Sequence, residues 1–107
     1  MTLNEYQSLA QRTANTEDDS DKIVNGILGL CGETGECADI LKKHGYQGHK
    51  LNIREMQEEL GDVLWYVAEL AVGLGATLEG IAKMNIEKLK KRYPDGFDAE
   101  KSVNREE

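Results

Sequence analysis

Proline occurs once in these 107 residues, at Pro94, and phenylalanine and tryptophan also occur once each. With no proline before residue 94, nothing breaks a helix over most of the chain, and the frequent Leu, Glu, Lys and Ala favour helix over strand. Basic residues are the minority: 13 Lys and Arg against 20 Asp and Glu leave a formal net charge of −7. Such a chain repels phosphate backbones instead of displacing their counterions, which argues against DNA or RNA binding through a basic surface. A small phosphate-bearing ligand requires local neutralisation, which a divalent cation supplies. No apolar run approaches the length of a membrane span. The start, Met1-Thr2-Leu3-Asn4-Glu5, lacks the basic and apolar stretches of a signal peptide. The two cysteines, Cys31 and Cys37, are six positions apart in a helical pattern, so their side chains diverge; they form no C-x-x-C and read as buried thiols of a reducing compartment. The expected location is the cytoplasm.

The length fits a single domain, residues 1–107, with a limited core that oligomerisation would supplement. Four helices are expected. The first starts at Thr2, which forms a capping-box pattern with Glu5, and runs to about Thr13. The second runs from about Asp21 to Lys43 with Ser20 or Asp19 as N-cap, and the third from Asn52 and its partner Glu55 to about Leu74. Thr77 caps the fourth, which ends near Tyr93 before the turn Pro94-Asp95-Gly96. Residues 98–107 form a polar tail, mobile or packed on a partner. Stripes at i, i+3, i+4 spacing, Ile23, Ile27, Leu30, Thr34, Cys37, Ala38 and Leu41 in helix two and Met56, Leu60, Val63, Val67, Leu70, Ala71 and Leu74 in helix three, are expected to face a core. Short connections make neighbouring helices antiparallel, so the architecture is an all-α antiparallel bundle.

Glu33 and Glu36 are three apart, as are Glu59 and Asp62. At about 100° per residue, each pair subtends about 60° and can aim two carboxylates at one place. Both pairs lie on one flank of the apolar stripe, with Gly26, Gly29 and Ile40 on helix two and with Glu55, Tyr66 and Gly73 on helix three. If the helices are antiparallel, the four carboxylates converge, with space left by Gly26 and Gly29. Converging carboxylates repel unless a cation lies between them, and hard oxygen ligands suit Mg²⁺ or Mn²⁺. The same spacing also arises on a solvated acidic face, as Glu55 and Glu58 illustrate. Di-iron bundles use Glu-x-x-His, and neither pair has a His at i+3.

The run Gly32-Glu33-Thr34-Gly35-Glu36, followed after 22 residues by Glu59-Leu60-Gly61-Asp62, resembles the E-x-x-E…E-x-x-D pattern of the MazG-like all-α nucleotide pyrophosphohydrolases. Three stretches resemble that family in order and spacing: GLCGETGECADILKK (Gly29 to Lys43), EELGDVLWYVAELA (Glu58 to Ala71) and MNIEKLKKRYPDGF (Met84 to Phe97). The resemblance implies a helical fold and Mg²⁺ held by Glu33, Glu36, Glu59 and Asp62. It also implies hydrolysis of a nucleoside triphosphate between its α and β phosphates to monophosphate and pyrophosphate, a house-cleaning role in the nucleotide pool. A homodimer, or a tetramer of dimers, with sites near subunit contacts is implied as well. The chemistry agrees, since phosphoryl transfer needs positioning and charge neutralisation more than covalent catalysis. Which carboxylate acts as base, and which base is preferred, stay open.

By the same resemblance Asn85, Lys88 and Arg92 match the substrate-contacting stretch, and their i, i+3, i+7 spacing puts them on one helical face. The alternative is a basic helix C-terminus favoured by the macrodipole. Tyr66, one turn after Asp62, is either near the nucleotide or a core residue. Trp65 points away from the stripe and is expected at a subunit interface. Lys42, Lys43, His44 and His49 read as solvated connector positions. The competing reading is a non-enzymatic acidic helical module that binds a basic protein. That reading gives no reason for a second acidic pair in phase with the first.

Overall fold

The computed structural model describes residues 1–104, so the last three positions of the expected tail lie outside the described residues. The fold is all-α: α1 (Leu3–Ala10), a 3₁₀ turn (Gln11–Thr13), α2 (Asp19–Tyr46), α3 (Ile53–Gly73), α4 (Leu78–Arg92) and α5 (Ala99–Val103). Each main helix begins on a side-chain cap that satisfies a free N–H of the first turn. Thr2 and Glu5 form the reciprocal capping box, Asn52 accepts from the Glu55 amide, and Thr77 accepts from the Gly80 amide. At α2 the cap is Asp18, which accepts from the Asp21 amide, one or two residues before the expected Asp19 or Ser20. The helix also continues past Lys43 to Tyr46. In the tail Asp98 accepts from the amides of Glu100 and Lys101, and a single helical turn follows where only irregular chain was expected.

Helices α2 and α3 form an antiparallel hairpin in which Lys22 and Ile23 lie beside Gly73, Gly26 beside Leu70, Gly29 beside Tyr66 and Glu33 beside Glu59. The glycines permit this approach. A Cβ on Gly26 would lie 2.8 Å from Leu70 Cβ, and one on Gly29 would lie 2.1 Å from the Tyr66 ring. The closest contact is along the glycine and carboxylate flank, and the aliphatic stripes are divided. Ala71 is buried in the core, Val67 packs against it, and Ile23, Leu30, Met56, Val63 and Leu70 are half-buried, whereas Ile27 is 48% exposed, Leu41 57%, Leu60 62% and Leu74 60%. Part of each stripe turns outward because close helix contact forms where side chains are smallest. Cys31 lies on the outward side and is exposed, not buried as expected.

The buried apolar core is correspondingly small: Ala10, Ala68, Ala71 and Leu78, with Tyr6, Trp65 and Val67 packed against it. It sits where α1 crosses the C-terminal half of α3 and the start of α4. Gln7 fastens that crossing: its Nε2 donates to Ala76 O at 2.9 Å and its Oε1 accepts from the Leu78 amide at 2.8 Å. Between α3 and α4 the chain bends by 96°, with Gly75 at φ +70° in the connection. No single helix among the described residues is long and apolar enough to cross a membrane.

Candidate metal centre and adjoining pocket

The antiparallel register brings Glu33 of α2 against Glu59 and Asp62 of α3. One carboxylate oxygen from each lies within 4.8 Å of the other two. Glu33 and Glu59 are half-buried and Asp62 is exposed. Glu59 Oε2 is buried and has no hydrogen-bond partner among the described residues. A hydrogen bond with Glu33, burial, and the negative charge of Glu33, Asp62 and Glu55 together push the Glu59 carboxyl above the usual range. Two carboxyls can share a hydrogen bond only while one keeps its proton. The trio thus has too much negative charge for its own stability and an oxygen with no donor, the two features a divalent cation would correct. All-oxygen ligation fits a hard cation.

The structure brings three of the four expected carboxylates together. Glu36 is exposed and lies outside the trio, one turn further along α2. At that outer end Lys43 pairs with Asp39 at 3.0 Å, and the hydrogen bond to Asp39 and its charge, with smaller contributions from Glu55 and Glu36, hold the Lys43 ammonium above its usual range. His44 Nδ1 lies 2.9 Å from His49 O, which ties the connector to itself.

A pocket of about 340 Å³ opens beside the trio, lined by Thr13, Glu33, Asp62, Trp65 and Tyr66. Tyr66 is here because its ring lies over Gly29, so it both packs between the two helices and lines the pocket. Trp65 is half-buried against the N-terminal segment and does not stand free on an outer face. Its indole N–H donates to Ala10 O and to Thr13 Oγ1, both at 3.0 Å, and its ring meets Tyr66 edge-on at 5.0 Å. Trp65 thus has partners within its own chain, whatever contact it makes with another subunit. Burial, and then the negative charge of Asp62, push the Tyr6 phenol above its usual range, so α1 also approaches the site.

Asn85, Lys88 and Arg92 do not line this pocket. They lie on α4, which turns away from α3 by 96°. At 1.5 Å per residue, Asp62 is about 16 Å from the end of α3, and Lys88 is about 15 Å along a helix set nearly at right angles to it. Thr13, Tyr6 and the buried Glu69 are the site neighbours that sequence reasoning missed. Thr13 and Tyr6 carry no motif; Glu69 is in phase with Asp62 and Tyr66 on the α3 flank, which is the one signal that was available.

The chain is 39% identical over 105 residues to the Gene 37 protein of Mycobacterium phage L5, covering 90% of this chain and 92% of that one. No solved structure matches it. Residues 24–97, which carry all of α3, all of α4 and all of α2 beyond its first turn and a half, match the MazG nucleotide pyrophosphohydrolase domain, and the chain belongs to that family.

Proposed function

We propose that this protein hydrolyses nucleoside triphosphates to nucleoside monophosphate and pyrophosphate, with Mg²⁺ held by Glu33, Glu59 and Asp62. The observation that carries the reading is the carboxylate trio with its buried, unpartnered Glu59 oxygen. When bound, the cation neutralises phosphate charge and polarises the bond to be broken. Glu33 of α2 and Glu59 of α3 would hold the cation between the two helices. Asp62, exposed at the pocket mouth, faces the incoming phosphates. Glu36, one turn outward, is placed to orient the attacking water or to hold a second cation. Tyr66 closes the side of the pocket against α2 and excludes water from it. The direct test is a panel of NTPs and dNTPs with Mg²⁺, assayed separately for pyrophosphate and orthophosphate. Pyrophosphate from at least one nucleotide is expected. Orthophosphate alone would make the bond assignment wrong, and no turnover with Mg²⁺ or Mn²⁺ would favour the acidic binding module.

The proposal includes an assembly of at least two copies. The outward stripes leave Val24 56%, Leu28 68% and Ile53 59% exposed beside Ile27, Leu41 and Leu60, an apolar surface larger than a soluble monomer normally carries. A second copy with the same face covers it isologously. The same assembly brings Asn85, Lys88 and Arg92 of one copy toward the site of the other, which their own α4 cannot do. Leu28→Glu is expected to shift the light-scattering mass to the monomer and to lower activity with it. A fully active monomer would refute the assembly and leave the metal centre standing.

A further inference from the structure

We propose that α1 is a strut that sets the direction of α4, and that Asn4 and Gln7 are positioning residues for Asn85, Lys88 and Arg92. The inference rests on the hydrolase reading above, in which those three side chains reach a nucleotide, and adds what aims them.

In α4 the Ile81 amide is the first with a helical acceptor, Thr77 O at 3.0 Å. The amides of Leu78, Glu79 and Gly80 come before it and need partners from elsewhere. Thr77, the N-cap, takes the Gly80 amide at 3.0 Å. α1 takes the other two: Gln7 Oε1 accepts from the Leu78 amide at 2.8 Å, and Asn4 Oδ1 accepts from the Glu79 amide at 3.1 Å. Gln7 Nε2 also donates to Ala76 O at 2.9 Å, so one carboxamide grips the chain on both sides of Thr77. A helix start is ordinarily capped from within its own segment. Here two caps come from 71 and 75 residues away in the chain, and they fix how α4 sits on α1.

The other end of α1 is bound to α3. Ala10 belongs to the buried cluster with Ala68 and Ala71. Its carbonyl accepts from the Trp65 N–H at 3.0 Å, and Gln11 Nε2 donates to the buried Glu69 at 2.9 Å. The strut thus runs from α4, at residues 4 and 7, to α3, at residues 10 and 11, and closes a triangle over the 96° bend. The chain inside the bend, Leu74 to Thr77, includes Gly75 at φ +70°, and glycine restricts its backbone least of all residues. The whole strut precedes residue 24, where the family match begins.

Leverage makes the angle matter. Leu78 is buried and Gly80 and Ala82 are half-buried, whereas every residue from Lys83 to Lys91 is exposed. The first turns therefore decide where α4 points. Lys88 stands 10 residues beyond Leu78, about 15 Å along the axis, so a tilt of about 10° at the start moves it by about 3 Å. A misplacement of about 1 Å in a positioned group can cost about 10² in rate. Glu33, Glu59 and Asp62 stand on the hairpin and do not move with α4.

Asn4→Ala removes one cap and spares α1, since alanine is the better helix former. Amide hydrogen exchange, read residue by residue on the intact protein, is expected to show Leu78 and Glu79 protected in wild type. In Asn4→Ala the Glu79 amide should exchange at least about tenfold faster, with Gly80 unchanged. KM for the best nucleotide should rise about threefold to tenfold, the range for one lost hydrogen bond. In the same variant kcat should stay within about twofold, and the Mg²⁺ shift in melting temperature should match wild type. Asn4→Asp keeps the acceptor and should restore both exchange and KM. In a Lys88→Met background Asn4→Ala should cost much less in KM, because a strut acting through Lys88 has less left to aim. An equal loss in both backgrounds, or an unchanged KM beside a fast Glu79 amide, would overturn the inference and leave the hydrolase reading intact. A wild type that turns over no nucleotide sinks that reading instead. Calorimetric titration with Mg²⁺ and inorganic pyrophosphate then applies the same cycle to Kd. A loss that depends on Lys88 would support the strut, and equal losses or no pyrophosphate binding would overturn it.

Discussion

Glu59→Gln is expected to lower kcat/KM for the best nucleotide by about 10²-fold or more, the size of loss seen when one preorganised charge-stabilising group is removed from an active site. The same substitution is expected to raise the melting temperature of the metal-free protein at neutral pH. Both follow from the crowding of Glu33, Glu59 and Asp62 within 4.8 Å. The amide keeps the shape and can donate to Glu33 without needing a shared proton, so it relieves the repulsion that the cation normally relieves. The pH dependence has a definite sign. The Glu59 carboxyl lies above its usual range, because of the hydrogen bond with Glu33, burial and neighbouring negative charge. A raised folded value means that the group's contribution to stability is fully present below its unfolded value and is lost as pH rises through the folded value. Metal-free protein therefore loses this contribution toward neutral pH, while Mg²⁺ binding needs the carboxylates unprotonated and weakens as pH falls through the same window. Stabilisation by Mg²⁺, measured as a shift in melting temperature, should be large at neutral pH, small in acid, and strongly reduced in Glu59→Gln. Glu58→Gln is the control, since Glu58 points about 100° away and pairs with Arg54 on the surface at 3.1 Å. Wild-type kinetics and wild-type Mg²⁺ stabilisation in Glu59→Gln would remove the metal assignment.

Much of this site was legible because it depends on period alone. The capping groups Thr2, Asn52 and Thr77 were readable from one residue type followed by a free amide, and each makes the expected bond. The convergence of Glu33, Glu59 and Asp62 followed from two in-phase pairs on helices joined by a short connector. Direction was harder to read than period. The aliphatic stripes were the obvious core by hydropathy, yet Gly26, Gly29 and Gly73 decide which faces touch, since a Cβ at any of them would lie 3.0 Å or less from the opposing helix. Hydropathy cannot weigh that, because glycine scores near neutral while controlling how near two backbones come. The apolar residues that face outward are the ones the proposed assembly would cover. The internal partners of Trp65 were hidden in the same way: its position off the stripe marked it for an interface, and only the fold shows Ala10 and Thr13 within reach of its N–H. Asn85, Lys88 and Arg92 share a helical face as read, but the 96° bend before α4 separates them from their own carboxylates. A bend in a four-residue connection has no hydrophobic period to announce it.

Lys22→Met is expected to destabilise the fold by about 3 kcal/mol or more, the cost of leaving a buried carboxylate without its cation. Glu69 is fully buried, and Lys22 reaches it at 3.2 Å with its own side chain 16% exposed. The Lys22 ammonium also donates to Gln11 Oε1 at 2.8 Å and Thr16 Oγ1 at 2.9 Å, while Gln11, Thr16 and Asn25 donate to Glu69. Burial alone would raise the Glu69 carboxyl, but the hydrogen bonds from Gln11 and Lys22 and the Lys22 charge outweigh it, and the net shift is downward. With a lowered folded value, this group's contribution to stability is present above its unfolded value and is lost as pH falls through the folded one. Lys22→Met removes the cation and one hydrogen bond while burial stays, so the downward shift shrinks. The gap in melting temperature between wild type and Lys22→Met should therefore be widest at neutral pH and close in acid. Lys22→Met with Glu69→Leu should recover much of the loss, because removing both charges eliminates the unpaired group. A double variant less stable than Lys22→Met would show that Glu69 does not depend on this cation. The network also holds residues 11–16 against α2 and α3, and Thr13 is carried to the pocket on that segment. Lys22→Met at a temperature where it remains folded should thus raise KM for nucleotides more than it lowers kcat, since the carboxylates proposed to hold the metal lie further along the hairpin and keep their places.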